Sequence, residues 1–124
     1  MNLKKLTSAK EWLDLPEFEV PTLKSSEETG SIIEVAKLDY YLATKEECAE
    51  LGIKRTEEID GVVYALAVAM VKFDKEFEMC RVPLGLTAWA CQMLALIQKR
   101  GLDPFPAKVE FGVLDGRSFG EVIY

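Results

Sequence analysis

The second half of this 124-residue chain follows a definite order of strands and one helix, which leaves few folds open. Alternating or wholly apolar runs predict strands, and an apolar run that ends at Gly101 predicts a helix. The order is strand, strand, helix, strand, strand, over residues 61–74, 75–84, 87–100, 107–114 and 117–124. It predicts a mainly β, α+β protein built on one sheet.

The most apolar strand candidate is the segment 61–74, with larger side chains on one face and mostly alanine on the other. A strand with two apolar faces is covered on both sides, and small alanine side chains predict close approach by a helix or a tightly coiled sheet. Alanine and leucine also propagate helices, so a helix over 62–73 is the alternative.

Asp115-Gly116 is the strongest hairpin signal in the chain. A two-residue turn sets two glycines opposite aromatic rings that can cover them, and two glutamates opposite each other. The facing pairs are Gly112 with Phe119, Gly120 with Phe111, and Glu110 with Glu121. A bulged turn with a one-residue slip would separate the glutamates and is the alternative.

The helix 87–100 is predicted to be buried. Thr87 caps it, and its polar side chains are Gln92, Gln98 and the last two residues. A helix this apolar all round is covered on more than one side.

In the first half, residues 31–44 have the β-branched and aromatic content of a strand, and their alternation breaks near Ala36, which indicates a bulge. The capping box of Thr44 and Glu47 then starts a short helix that Gly52 ends.

Residues 1–30 are predicted to form an N-terminal arm, separate from the globular domain. Ser8 and Glu11 form a capping box for a short helix, and extended chain and a polar loop follow. The apolar rings of Trp12 and Phe18 must be buried, either against the chain's own sheet or against a neighbouring subunit. The predicted organisation is an arm with a short helix over 1–30 and one globular domain over 31–124.

Composition indicates a single globular domain, with 49% hydrophobic and 29% charged residues. No apolar run reaches the ~18 residues of a membrane helix, and the N-terminus lacks the apolar core of a secretory signal, so we expect a cytoplasmic protein without a membrane partner. One asparagine, two glutamines and no histidine favour a thermophilic source over sampling noise in a short chain.

The inventory of reactive side chains argues against an enzyme. Histidine is absent, the three cysteines have no CxxC spacing, and no glycine-rich phosphate loop occurs. We therefore expect buried thiols, or one disulfide if the source is a hyperthermophile. Carboxylates that could bind a divalent ion or act as acid and base are more simply solvated strand charges; they are Asp74, Glu76, Glu78, Glu110 and Glu121. No catalytic residue, metal site or cofactor is predicted.

Five strands with a helix between the third and the fourth resemble the chain order of the OB-fold, over residues 31–124. The OB-fold is a partly open Greek-key barrel whose second and third strands bind oligonucleotides. The resemblance implies a small five-stranded antiparallel barrel-like sheet with one buried helix, 87–100. The chain departs from that order in a polar, partly helical 17-residue link between the first two strands.

That resemblance implies a non-enzymatic module that binds single-stranded DNA or RNA, with rings for stacking and cations for the backbone. The candidate residues are Tyr41, Lys72, Phe73, Lys75, Phe77, Arg81 and Arg117. Arg81 is the foremost of these because it interrupts an apolar strand; a carboxylate such as Glu34 or Glu110 is its alternative partner. Each ring could instead belong to the core.

The charge distribution suggests a second function. Residues 1–60 hold 14 acidic and 8 basic side chains, whereas residues 61–124 hold 7 of each. The sequence pI of about 4.8 disfavours non-specific binding to duplex DNA. The alternative is a protein-interaction or assembly subunit that uses an edge strand, or contacts a partner or a second copy through residues 1–24. The acidic arm could also mask a basic surface.

Overall fold

The computed structural model describes residues 3–54, 57–61 and 63–123. Within them the protein is α+β and mostly strands, with one seven-stranded sheet and one main helix. The strands are β1 (Thr22–Leu23), β2 (Ser31–Thr44), β3 (Glu58–Ile59), β4 (Val63–Phe73), β5 (Glu76–Arg81), β6 (Ala107–Leu114) and β7 (Arg117–Ile123). The helices are α1 (Ala9–Asp14), α2 (Lys45–Glu50) and α3 (Thr87–Arg100), with a 3-10 turn at Leu84–Leu86. The predicted strands also included Val62 and Tyr124, which lie outside the described residues.

The long strands lie in the order β7, β6, β2, β4, β5, and each neighbouring pair is antiparallel. Two-residue strands add to this sheet, β1 parallel to β6 and β3 antiparallel to β4. The strand prediction for 62–73 is confirmed over Val63–Phe73, and the helix alternative is excluded there. The bulge predicted near Ala36 is confirmed by a register shift between Val35 and Lys37.

The predicted five-stranded barrel-like closure is not found: the described sheet has seven strands and stays open. Two contacts explain this. The backbone N–H of Arg81, at the end of β5, donates to the Pro16 carbonyl at 2.9 Å, and Glu17 forms a parallel bridge with Arg81. β7 instead lies against the 3-10 turn, where a Cβ on Gly85 would come within 2.6 Å of the Ser118 hydroxyl oxygen. The chain's own segments therefore occupy positions that a β5–β7 pair would need.

One face of the sheet, which we call the inner face, carries the alanines of β4. Ala67, Ala69 and Val71 belong to a buried cluster with Leu86 and Ala90, at the start of α3. The close approach predicted for the alanine face is thus confirmed.

The opposite face, which we call the outward face, has a cluster of its own. Leu66 and Val68 of β4 pack there with Trp12 of α1 and Cys48 of α2. The central strand is therefore covered on both sides over this stretch, as its two apolar faces predicted.

The N-terminal segment, residues 3–23, reaches both clusters. Trp12 is 2% exposed, and its indole N–H donates to the Ala67 carbonyl at 2.9 Å. Phe18 belongs to the inner cluster, with its ring 5.0 Å from that of Phe111. Both rings therefore pack on the chain's own sheet, the first of the two alternatives.

The hairpin register is confirmed. Asp115 and Gly116 have φ angles of 53° and 75°, which a type I′ turn requires. The predicted facing pairs are all present: Gly112 with Phe119, Gly120 with Phe111, and Glu110 with Glu121.

The like-charge pair in this register is relieved locally. Glu110 accepts a hydrogen bond from the backbone N–H of Gly30 at 2.7 Å, whereas Glu121 is exposed to solvent. No bulged turn is therefore needed to separate the two carboxylates.

α3 has its predicted bounds, but the prediction that it is covered on more than one side is wrong. Among its residues only Thr87 and Ala90 are fully buried, and Leu96 is 47% exposed. Thr87 is also the first helical residue rather than the cap, and its hydroxyl donates to the Leu84 carbonyl at 2.9 Å. The helix lies on the inner face with one side only.

The three cysteines are free; Cys48 and Cys80 are buried and Cys91 is partly buried. Burial raises the pKa of Cys80 to about 11, which disfavours the reactive thiolate. None of the helices in the described ranges is long and apolar enough to cross a membrane.

α1 begins at the predicted capping box. The Ser8 hydroxyl oxygen accepts from the backbone N–H of Glu11 at 3.2 Å. The Glu11 carboxylate accepts from the hydroxyl and backbone N–H of Thr7 and lies 3.2 Å from the Lys4 ammonium. These hydrogen bonds from Thr7, and then Lys4, lower the pKa of Glu11 from 4.5 to about 2.

We expect Glu11→Gln to lower the melting temperature above pH 4.5 and to matter progressively less as the pH falls to 2. Because the folded-state pKa is depressed, the carboxylate stabilises the fold fully above its unfolded pKa, and this stabilisation is lost on protonation. Thermal melts of both proteins across this range measure the effect, with exposed Glu50→Gln on α2 as the control. A difference that does not change with pH would show that the charge of Glu11 is unimportant.

Candidate nucleic-acid interface

Three of the predicted site residues share the outward face of β4 and β5. The strand register sets Lys72 opposite Phe77 and Val68 opposite Arg81. Facing residues of an antiparallel pair project to the same side of the sheet. Lys72, Phe77 and Arg81 therefore lie on one surface, two strands wide.

Lys72 and Phe77 form the centre of this surface. The Lys72 ammonium lies 5.5 Å from the centroid of the Phe77 ring, within the range of a cation–π interaction. It also lies 3.9 Å from a carboxylate oxygen of Glu34 on the neighbouring β2. The side chains of Lys72 and Glu34 are both more than one-third exposed, so solvent screens this ion pair.

The same row of side chains continues across the whole sheet. Glu34 faces Lys72, Lys108 faces Glu34, and Ile123 faces Lys108. We call Phe77, Lys72, Glu34, Lys108 and Ile123 the cross-sheet row. The sequence alone could not place Lys108 in one row with Lys72, because that arrangement depends on the pairing of β2 with both β4 and β6.

Arg81 is engaged by the N-terminal segment. Its Nε donates to the Glu17 carboxylate at 3.1 Å, and an Nη donates to the Leu13 carbonyl at 2.8 Å. Its guanidinium carbon lies 5.3 Å from the Trp12 ring. The carboxylate partner is therefore Glu17, rather than Glu34 or Glu110, and the arm covers the residue that the sequence favoured most for a ligand.

Tyr41 is also on the outward face, opposite Leu66, but at its covered end. Its hydroxyl lies 3.2 Å from the Glu47 carboxylate and 3.4 Å from the Thr7 carbonyl. Burial, followed by the negative charge of Glu47, raises the pKa of Tyr41. The phenol thus links the N-terminal segment to α2.

The remaining predicted residues are dispersed. Lys75 is exposed in the turn between β4 and β5, next to the Lys72 end of the surface. Arg117 is six residues from Ile123 along β7, which corresponds to about 20 Å at roughly 3.3 Å per residue. The backbone of Phe73 pairs with Glu76, and its side chain lies outside the described residues.

The acidic side chains do not assemble a metal centre in the part of the chain that the structure describes, where no group of three histidine, cysteine, aspartate or glutamate residues could hold an ion. The part of the outward face that α1 and α2 leave uncovered, around Lys72, carries an aromatic ring, several ammonium groups and intervening carboxylates. These groups can stack and form ion pairs.

Comparison of the chain with protein-family models, with curated proteins and with solved structures found no significant match.

Proposed function

We propose that the protein is a non-enzymatic module that binds single-stranded nucleic acid on the outward face of β4 and β5. The contact between Lys72 and Phe77 carries this proposal, because it holds a cation 5.5 Å from an aromatic ring. A base stacks on such a ring while the ammonium meets the adjoining phosphate. Lys108, in the same cross-sheet row, supplies a second cation two strands away.

The order of the long strands supports the proposal. β2 pairs with β4 and β6, β4 with β5, and β6 with β7, while α3 lies between β5 and β6 in the chain. We infer from this an open sheet of OB-like order, in which β4 and β5 are the second and third strands. Those are the strands on which OB-folds bind oligonucleotides.

The electrostatics favour weak, salt-dependent binding. The chain has a net charge of -6, and Glu34 lies between Lys72 and Lys108. Single strands lose affinity with a log–log salt slope of about -0.7 per phosphate contact. Contacts to Lys72, Lys75 and Lys108 therefore give a slope of about -2.

We expect Phe77→Ala to weaken binding by about 1–3 kcal/mol, the usual contribution of one stacked base. The double variant Lys72→Glu, Lys108→Glu should reduce the affinity at least tenfold. Fluorescence anisotropy with labelled oligo-dT and oligo-U at low salt measures both. The control is Lys24→Glu, an exposed residue just after Leu23, which pairs with Leu114 at the far end of β6. Absence of binding by the unaltered protein at tens of micromolar, or equal loss in the control, would remove the proposal.

A protein-interaction subunit remains the second proposal, but residues 1–24 give it little support. Within the described part of this segment, Leu6, Trp12, Phe18 and Leu23 are buried against the chain's own sheet. A contact through this arm would have to displace them. The specific observation that favours a protein partner lies elsewhere, at the end of α3.

A further inference from the structure

The C-terminal end of α3 and the loop after it form an exposed apolar patch. Leu102 is 71% exposed, the largest fraction among the large apolar side chains of the described ranges, and Leu96 is 47% exposed. Both line a groove of about 580 Å³ together with Met93 and Pro104. Contiguous apolar surface of this kind marks a contact site more often than isolated exposed leucines do.

The same groove carries one charge of each sign. Arg100 and Asp103 both line it and are both exposed. Asp103 is held in place because one of its carboxylate oxygens accepts the backbone N–H of Phe105 at 2.9 Å. Arg100 makes no ion pair with any residue that the structure describes.

We propose that this groove binds a second copy of the chain in a two-fold symmetric dimer. Leu102 of each copy enters the groove of the other, and Arg100 of each copy faces the partner's Asp103. A two-fold contact uses the same patch on both subunits, so the patch must be complementary to itself. A largely exposed leucine in a mostly apolar groove, with one cation and one anion among the lining residues, meets that requirement.

A second copy fits this patch better than a nucleic acid or a membrane does. The groove is lined by one cation, one anion and otherwise mostly apolar residues, so it neither attracts phosphates nor presents a basic surface to anionic lipids. The inference is independent of the proposed nucleic-acid surface, which lies on the outward face, whereas α3 packs on the inner face.

Sedimentation velocity of the full chain over a wide concentration range tests the proposal. We expect a species of twice the 13.9 kDa chain mass, and at least tenfold weaker self-association in Leu102→Asp. The control Ile32→Asp, at a 52% exposed position on the outward face, should leave the dimer intact. A chain that is monomeric at every concentration, or a dimer that survives Leu102→Asp, overturns the proposal.

A charge exchange distinguishes a second copy from any other partner. Arg100→Asp and Asp103→Arg should each weaken the dimer, because either change puts like charges face to face. The double variant should restore it, because the two opposite charges have then exchanged places in both copies. Thermal melts confirm that each variant is folded, and failure of the double variant to recover self-association overturns the two-fold arrangement. Anisotropy with oligonucleotides is unaffected in all of these variants if the two surfaces are separate.

Discussion

Trp12→Ala is expected to lower the free energy of unfolding by about 3–5 kcal/mol, as the loss of a buried aromatic side chain usually does. The indole is 2% exposed and packs in the outward cluster with Leu66 and Val68. It also lies beneath the Arg81 guanidinium, 5.3 Å from its carbon. Removing the ring therefore leaves a cavity between the N-terminal segment and the sheet and loosens the arm's hold on Arg81.

Trp12→Phe separates packing from hydrogen bonding. The Ala67 carbonyl accepts from the backbone N–H of Val82 at 2.9 Å as well as from the indole, so it keeps one donor in this variant. We expect Trp12→Phe to cost only about 1 kcal/mol, the net contribution of one hydrogen bond, plus a small loss of volume. Urea unfolding followed by circular dichroism gives both values. A loss below about 1 kcal/mol for Trp12→Ala would show that the arm does not contribute to the stability of the sheet.

Phe111→Ala should be comparably destabilising, by about 3–5 kcal/mol. Phe111 is 1% exposed and lies between two other rings, 5.0 Å from Phe18 and 5.1 Å from Trp89. The Trp89 contact is edge-to-face, an arrangement that adds about 0.5–1.5 kcal/mol to the burial of area. Phe111 lies on β6 and contacts Phe18 of the arm and Trp89 of α3, so the substitution removes the side chain that connects these three parts.

A double-mutant cycle with Trp89→Ala measures the Phe111–Trp89 coupling in the same urea experiment. The conservative control Phe111→Leu keeps most of the volume and should cost markedly less than Phe111→Ala. The exposed Ile32→Ala, on the other face of β2, should change stability by less than about 0.5 kcal/mol. Equal losses for Phe111→Leu and Phe111→Ala would mean that ring shape rather than filled volume governs this core.

Local rules predicted most of the secondary structure. The two capping boxes start α1 and α2 because their side chains satisfy backbone N–H groups only three residues away. Asp115-Gly116 fixed the β6–β7 register because few residues other than these accept positive φ at both turn positions. The valine-rich alternation of 63–73 produced a strand because both of its faces found apolar partners.

The candidate site was less predictable. Lys72 and Phe77 are brought together by the short turn between β4 and β5, which is a local outcome. Arg81 could not be assigned a partner in the same way, because Glu17 is distant in the chain and reaches it only through the docked arm. The exposure of α3 was missed because an apolar composition does not reveal how many sides of a helix have neighbours.

What the sequence determined by itself is therefore short in range: the bounds of β2, β6 and α3, the capped helix starts and the hairpin pairing. The strand predicted over 75–84 is shorter in the structure, Glu76–Arg81, because Leu84 belongs to the 3-10 turn. These follow from backbone hydrogen bonds and side-chain alternation within a few residues. The tertiary structure alone decided that the sheet stays open, that the arm covers Arg81 and that Leu96 and Leu102 are left exposed. Those outcomes depend on contacts between distant segments, whose free energies compete with one another and leave no periodic signal in the chain.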